Sequence, residues 1–542
     1  MTHIAYKLTA VVLLSALLAS APLWARQNAD PEDDWVLQLG YFANLDNALE
    51  LQQVLAESGF EVTLVATGQP GDQRYRVITG RADAPAGLDE LRDRIEQRTE
   101  RQGLAVRDPL AGGAARAVVG ETRDEPPRDL SFQAGLAQTT TGTGDDAGPM
   151  RSSNYGTRSR RSLQAGSMPG FSVGGMQVGP TLGLGLGYDD NLTLAGQDEI
   201  SSWFYQISPA IRVEMPTDHS VLALSGGVDI VRYEDSSRDD REPWWVRGDA
   251  VWDVSTRQNL GLFADYSEGV DRRGEGRRRG DAGLIPLDPD EWQRFGYGGA
   301  WDYGAADARG GLQFRAGAYD LEYTNNREGP VPGSLGSRLL DRDWWYAGGE
   351  FAWRVAPKTA LLLDYQHSDM SYDEAPASDS QIDTWMLGAT WDATARTSGT
   401  VKFGIEQRDF TDPTKESYDG AAWQASVRWR PRSYSAFTLT ATRNTREPDG
   451  NGDFLLREDL VLSWVHDWAS RFGTTVNIGY GQDDFRPDGP SEDLFYWGVG
   501  ARYNFNPHLR FGISVTSYDR DSGLAQFDFE RRVFLLTAEW SL

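Results

Sequence analysis

The sequence has no cysteine. Disulfides, thiolate metal sites, cysteine nucleophiles and lipoprotein anchors are therefore excluded. Histidine is nearly as scarce, with five in 542 residues: His3, His219, His367, His466 and His508. They form no ligand-spaced cluster, and neither a P-loop nor a dinucleotide fingerprint occurs. His367-Ser368-Asp369 has the letters of a hydrolase triad, but neighbours on a strand point to opposite faces and cannot converge. No catalysis, metal or cofactor is expected. Positive charge is in deficit too: 53 Lys and Arg against 80 Asp and Glu leave a formal net charge of −27. Nucleic acid needs a basic face, so it is excluded as a partner. Acidic surface loops screened by divalent cations would account for the balance, and so would a plain solubility charge.

Long apolar runs are missing as well. After the first 25 residues, no stretch reaches the roughly 18 apolar residues that a membrane helix requires. A low hydrophobic content of 39% does not exclude membrane strands, which alternate lipid-facing and water-facing residues. The one apolar run, residues 8–21 behind Lys7, leads to small residues ending at Ala25. It predicts a secretory signal peptide over residues 1–25.

Aromatics, by contrast, are plentiful and placed with a rule. Trp252, Trp301, Trp353, Trp391, Trp429, Trp464, Tyr503 and Trp540 each stand just before a short polar turn or near the end of the chain. Rings at one depth on every second strand are what a transmembrane β-barrel needs at its water–lipid boundary. From Gln177 onward about eighteen alternating runs of roughly 12–16 residues follow one another. Their connections alternate short, as at Pro357-Lys358, and long, as over residues 271–290. The expected fold is an all-β transmembrane barrel over residues 177–542. Short turns and both barrel ends belong on the periplasmic side, in a Gram-negative outer membrane.

With the repeated indoles on lipid, the opposite parity faces the lumen. It carries Arg212, Arg247, Asp249, Arg294, Glu350, Lys402, Glu406, Arg428, Arg502 and Arg510. Each is read either as a wall ion pair or as part of a hydrophilic solute path. Trp245 and Trp344 share that parity, with Trp292, Tyr346 and Tyr496, and are candidates for an aromatic slide on which sugar rings stack. The alternative is an ordinary extracellular belt. A barrel of this size exceeds what side chains alone fill, so a water-filled channel is expected unless something plugs it.

Before the barrel, residues 34–108 read as a small α+β unit in the order βαββαβ. Residues 109–176 are poor in large apolar side chains and are expected to be a flexible linker with a typical span on the order of 45 Å. Leu37-Gln38-Leu39-Gly40 with Phe42, then Asn44, Ala48, Leu55 and Gly59, and Tyr75-Arg76-Val77 with Gly80 make the unit resemble the SPOR (sporulation-related repeat) domain. The resemblance implies peptidoglycan glycan strands as partner. Alternation places Gln38, Gly40 and Arg76 on the open sheet face, where an amide and a guanidinium are suitable donors to sugar hydroxyls or ordinary solvated side chains.

The barrel opens with Val178-Gly-Pro-Thr-Leu-Gly-Leu-Gly-Leu-Gly-Tyr-Asp-Asp-Asn191. This segment resembles the start of a β-barrel porin family found among exopolysaccharide and capsule export outer-membrane proteins. The resemblance implies a secreted polysaccharide as cargo and periplasmic polysaccharide export proteins as partners. A wall-tethered general or solute-specific porin is the alternative, and a structural or adhesive barrel a further one.

Overall fold

The computed structural model describes the strands at 35–42, 63–67, 74–82, 104–107 and 116–118, positions 55, 60, 62, 91 and 95, and residues 170–542 apart from 277–287, 306–307, 329–335, 395, 449–451, 488 and 523–526. The expected signal peptide and most of the expected linker lie outside the described residues. The chain divides into two units, residues 1–127 and 128–542.

In the first unit an antiparallel sheet runs in the order Leu104–Arg107, Trp35–Phe42, Arg74–Ala82, Thr63–Thr67, Arg116–Val118. The first four strands have the arrangement expected of a split βαββαβ unit. Leu37 and Val77 on the sheet and Leu55 and Ile95 at helical positions are all fully buried, as a unit with helices layered on a sheet requires. Arg116–Val118 is a departure: it pairs with residues 64–66 inside the segment expected to be linker, and so covers a sheet edge.

The second unit is built from eighteen antiparallel strands, from Met176–Asp189 to Phe529–Ser541, in a closed wall. Its sheet has 20 segments because the arm Phe171–Val173 folds onto the first strand and Asp229 interrupts the third. Each strand pairs with its sequence neighbours, and residues 533–541 pair with 181–189 to close the wall. Closure matters because in lipid every backbone N–H and C=O must find a partner within the protein. A 14-residue strand such as Gln258–Asp271, tilted by about 40°, covers roughly 35 Å, more than the apolar band demands.

Burial is inverted relative to a water-soluble protein. Leu387, Phe403, Ile513 and Leu361 are 67%, 61%, 58% and 51% exposed, while Arg408, Glu406 and Lys402 are 0%, 1% and 2% exposed. Along Thr397–Phe410 the alternation is strict: Phe403 and Ile405 outside, Lys402, Glu406 and Arg408 inside. No helix among the described residues is long and apolar enough to cross a membrane.

The recurrent aromatics form a band near the short-turn rim. Trp353, Trp429, Tyr503 and Trp540 are exposed on the outer face, and Trp429, Phe437 and Trp464 stack in sequence with centroids 5.3 and 5.9 Å apart. Short connections include 256–257, 357–358, 470–471 and 507–508, with longer loops such as 190–201 and 373–379 at the other rim. Pro431 and Arg432 finish a strand, and the chain reverses at 433–434. Towards the long loops the outer face becomes acidic, with Glu268, Glu322, Asp343, Asp383, Asp409 and Asp493 on it. Part of the negative charge thus forms a collar above the apolar band.

Candidate functional site: the barrel lumen

Strand register puts every charged lumen candidate on the inward face. On the strand Trp244–Ser255, Trp245, Arg247, Asp249 and Val251 share one face. Arg247 meets Asp249 at 2.9 Å and Asp265 at 3.2 Å, and Arg294 reaches Asp265 at 3.5 Å. A second network spans the strands from Gly310 to Phe410: Lys402 Nζ donates to Glu350 at 2.5 Å and to Asp364 at 2.6 Å, and Arg315 holds the other Asp364 oxygen at 2.7 Å. Glu406 accepts the Thr445 N–H at 2.7 Å. Arg212 pairs with Glu214 at 2.6 Å, Arg510 with Glu539 at 3.6 Å, and Arg502 with Asp467. Arg428 lies on the same face, opposite Ser398 and Thr438. These candidates gather into local pairs and clusters round the wall rather than converging on one centre.

Carboxylates and cations alternate because neighbouring strands offer them at one register. Burying one unpaired would cost several kcal/mol. The wall is consequently polar, with much of its charge compensated by its own partners. Among the described residues no group of His, Asp and Glu could hold a metal ion.

The aromatic slide needs correction. Trp344, Tyr346 and Tyr496 do face inward, but they are 3%, 6% and 4% exposed and offer no free ring face to a passing sugar. Each lies flat along the wall opposite a glycine or a ring. Tyr346 covers Gly317, Tyr496 covers Gly479 and Trp292 covers Gly269, each its register partner. Trp344 stacks on Tyr319 at 4.9 Å, and Tyr319 in turn covers Gly296. Trp245 alone of the two candidates keeps an accessible ring, 39% exposed.

Three buried pairs add partners that the sequence reading did not single out: Asp189 and Arg531 hold each other, Asp239 holds Arg273, and Glu447 holds the inward-facing Arg408, the last two anchored in the loop rim. Residues 191–195 of the first long loop are buried, as are Arg273 and Gly274 of a later one. Burial, with Arg241 and Arg531 close by, lowers the Arg272 guanidinium to about 10. Asp239 and Glu447 lie between strands, where periodicity gives no sign of which way a side chain turns.

In the N-terminal unit, pairing slips between Gln38 and Gly40, so Gln38 lies opposite Ile78, Gly40 opposite Val77 and Arg76 opposite Tyr41. A bulge of this kind breaks strict alternation; Gly40 therefore does not continue the Gln38 face as expected. Arg76 is half-buried, and Ile78 between the two candidates is buried. The Gln38 side chain lies outside the described residues.

Residues 165–541 match the family model described as "Putative beta-barrel porin 2". The chain belongs to this β-barrel porin family. Residues 31–107, ahead of the porin region, match the SPOR domain model. The protein is thus a porin-like outer-membrane barrel with a peptidoglycan-binding SPOR domain placed in the periplasm, and both families are non-enzymatic. Solved structures similar to this porin include OccK3 (OpdO) of Pseudomonas aeruginosa, at 15% identity over 67% of this chain and 95% of that one, with a TM-score of 0.39. Others are Pseudomonas aeruginosa OccK2 (OpdF), at 11% over 68% and 98% with 0.40, and the siderophore receptor PirA from Acinetobacter baumannii, at 6% over 67% and 80% with 0.38. No curated protein matches the chain.

Proposed function

We propose that the protein exports a hydrophilic polymer, an exopolysaccharide or capsular polysaccharide, across the outer membrane while its SPOR domain holds the barrel to the cell wall. The observation that carries this reading is the self-compensated lumen, in which Lys402 serves Glu350 and Asp364, and Arg247 serves Asp249 and Asp265. A polar wall with its charges paired wets a sugar chain without trapping it at one strong site. Trp245 supplies an accessible ring at the loop end. Gln38 and Arg76 are the proposed donors to glycan strands, residues 119–169 the tether between the sheet strand Arg116–Val118 and the barrel arm Phe171–Val173, and residues 1–25 the cleaved export signal. Periplasmic polysaccharide export proteins would deliver the cargo. The test is a deletion strain assayed for extracellular polysaccharide, complemented with the full chain and with a chain lacking residues 34–108. Loss of polymer on deletion and its return with the full chain are expected; undiminished polymer on deletion overturns the reading.

A wall-tethered, solute-specific porin is the second reading, favoured by the first long loop, whose residues 191–195 are buried, with Leu192 against Phe204 and Leu194 against Tyr496. It predicts solute-dependent block of ionic steps in planar bilayers and no change in surface polymer on deletion.

A further inference from the structure

Three consecutive residues at the end of the first barrel strand reach the start of the last one. Asp189, 1% exposed, receives Arg531 Nε at 3.0 Å and Nη2 at 2.5 Å. The Asp190 N–H donates to the Arg532 carbonyl at 3.1 Å, and its Oδ1 accepts the Arg532 N–H at 2.5 Å. Asn191 Nδ2 donates to the Glu530 carbonyl at 2.9 Å. The same amide donates to the Ala195 carbonyl at 2.9 Å, and the Ala195 N–H returns to its oxygen at 3.2 Å.

The loop that follows lies across the inside of the same seam. Leu192 packs on one side against Phe204, Val231 and Tyr233. Leu194 packs on the other against Leu494, Tyr496, Tyr518 and Phe529. Leu194 is held at φ 50, a left-handed conformation that a leucine keeps only when its surroundings dictate it. Above it, Gly274, at φ +86, approaches so closely that a Cβ would stand 1.8 Å from the Thr193 carbonyl oxygen.

We propose that Asp189-Asp190-Asn191 is the lock of the barrel's closing seam, and that engaging it seats residues 191–195 as a strap inside the pore. Every other wall pairing joins sequence neighbours across a turn or loop. The seam joins partners 339 to 342 residues apart, so it carries the largest loop-closure cost. Until it forms, two strand edges stay unpaired in lipid. Side-chain contacts concentrated there favour closure over an open sheet, and they couple a closed wall to a narrowed lumen. This inference holds for either cargo.

The test uses the full-length chain folding into phospholipid vesicles, with the compact band on unheated gels as readout. Asp189→Ala and Arg531→Ala should slow appearance of the compact band by about tenfold. Arg457→Ala removes an equally buried guanidinium that pairs with Asp459 and Asp483 away from the seam. It should lower the urea midpoint but slow folding less than about twofold. Thr181→Cys with Ser541→Cys, register partners across the seam, should restore compact protein to Asp189→Ala when oxidised. Asn191→Ala should keep the compact band and raise single-channel conductance. The proposal is overturned by equal slowing in Arg457→Ala and Asp189→Ala, by a seam disulfide that restores nothing, or by unchanged conductance in Asn191→Ala.

Discussion

Lys402→Ala separates an inward lysine from an outward one by the sign of its effect. Lys402 is 2% exposed and bridges Glu350 and Asp364, which face each other on adjacent strands. Removing it leaves two carboxylates without their shared cation. Breaking a buried pair costs about 3–5 kcal/mol. The loss is smaller here, because Arg315 still holds Asp364 and the Glu350 side chain is 22% exposed. A net destabilisation of about 2–3 kcal/mol is expected, or roughly 30- to 150-fold in the folded-to-unfolded ratio. The assay is urea titration of the refolded barrel in vesicles, followed by tryptophan fluorescence and gel mobility. Adding Glu350→Gln should recover more than half of the loss, since one of the two stranded charges is then gone. A lysine facing lipid would behave oppositely, because deleting it near the midplane stabilises by about 2–4 kcal/mol. A variant more stable than the parent, or a double variant no better than the single, refutes the reasoning.

Three further predictions follow from the same geometry. Phe403→Arg, at a position 61% exposed on the outer face, should destabilise by about 2–4 kcal/mol in vesicles, read by the same titration. Gly479→Val puts a side chain where Tyr496 lies, with a Cβ 2.0 Å from the ring. The displaced ring should cost about 1–3 kcal/mol and lower single-channel conductance. Gln38→Ala should weaken sedimentation of the full chain with purified sacculi while leaving barrel insertion intact; unchanged sedimentation removes Gln38 from the binding face.

Strand order and number were legible because a barrel writes its topology locally. Each strand pairs with its neighbour in sequence, so alternation and turn spacing are enough, as Thr397–Phe410 illustrates. Parity carried Arg247, Lys402 and Arg502 to the inward face for the same reason. What was not legible depends on contacts between distant segments. Whether an inward ring stands into the pore or lies along it is decided by the residue opposite, as Gly479 decides for Tyr496. Likewise Asp189 could not be matched with Arg531 before the ends of the wall were known to meet. Local irregularities fall outside pattern reading altogether. The slip after Gln38 sets Arg76 opposite Tyr41 in the register, and Arg116–Val118 adds a strand where composition indicated only linker.

Spin labels placed singly at positions 401 to 406 test the inside–outside assignment most directly, since the chain has no native cysteine to compete for the label. Labels at 401, 403 and 405 should collide freely with oxygen dissolved in lipid and poorly with a water-soluble nickel chelate, and labels at 402, 404 and 406 should do the reverse. A profile without a two-residue period, or one with its phase inverted, would contradict the barrel and the lumen built on it.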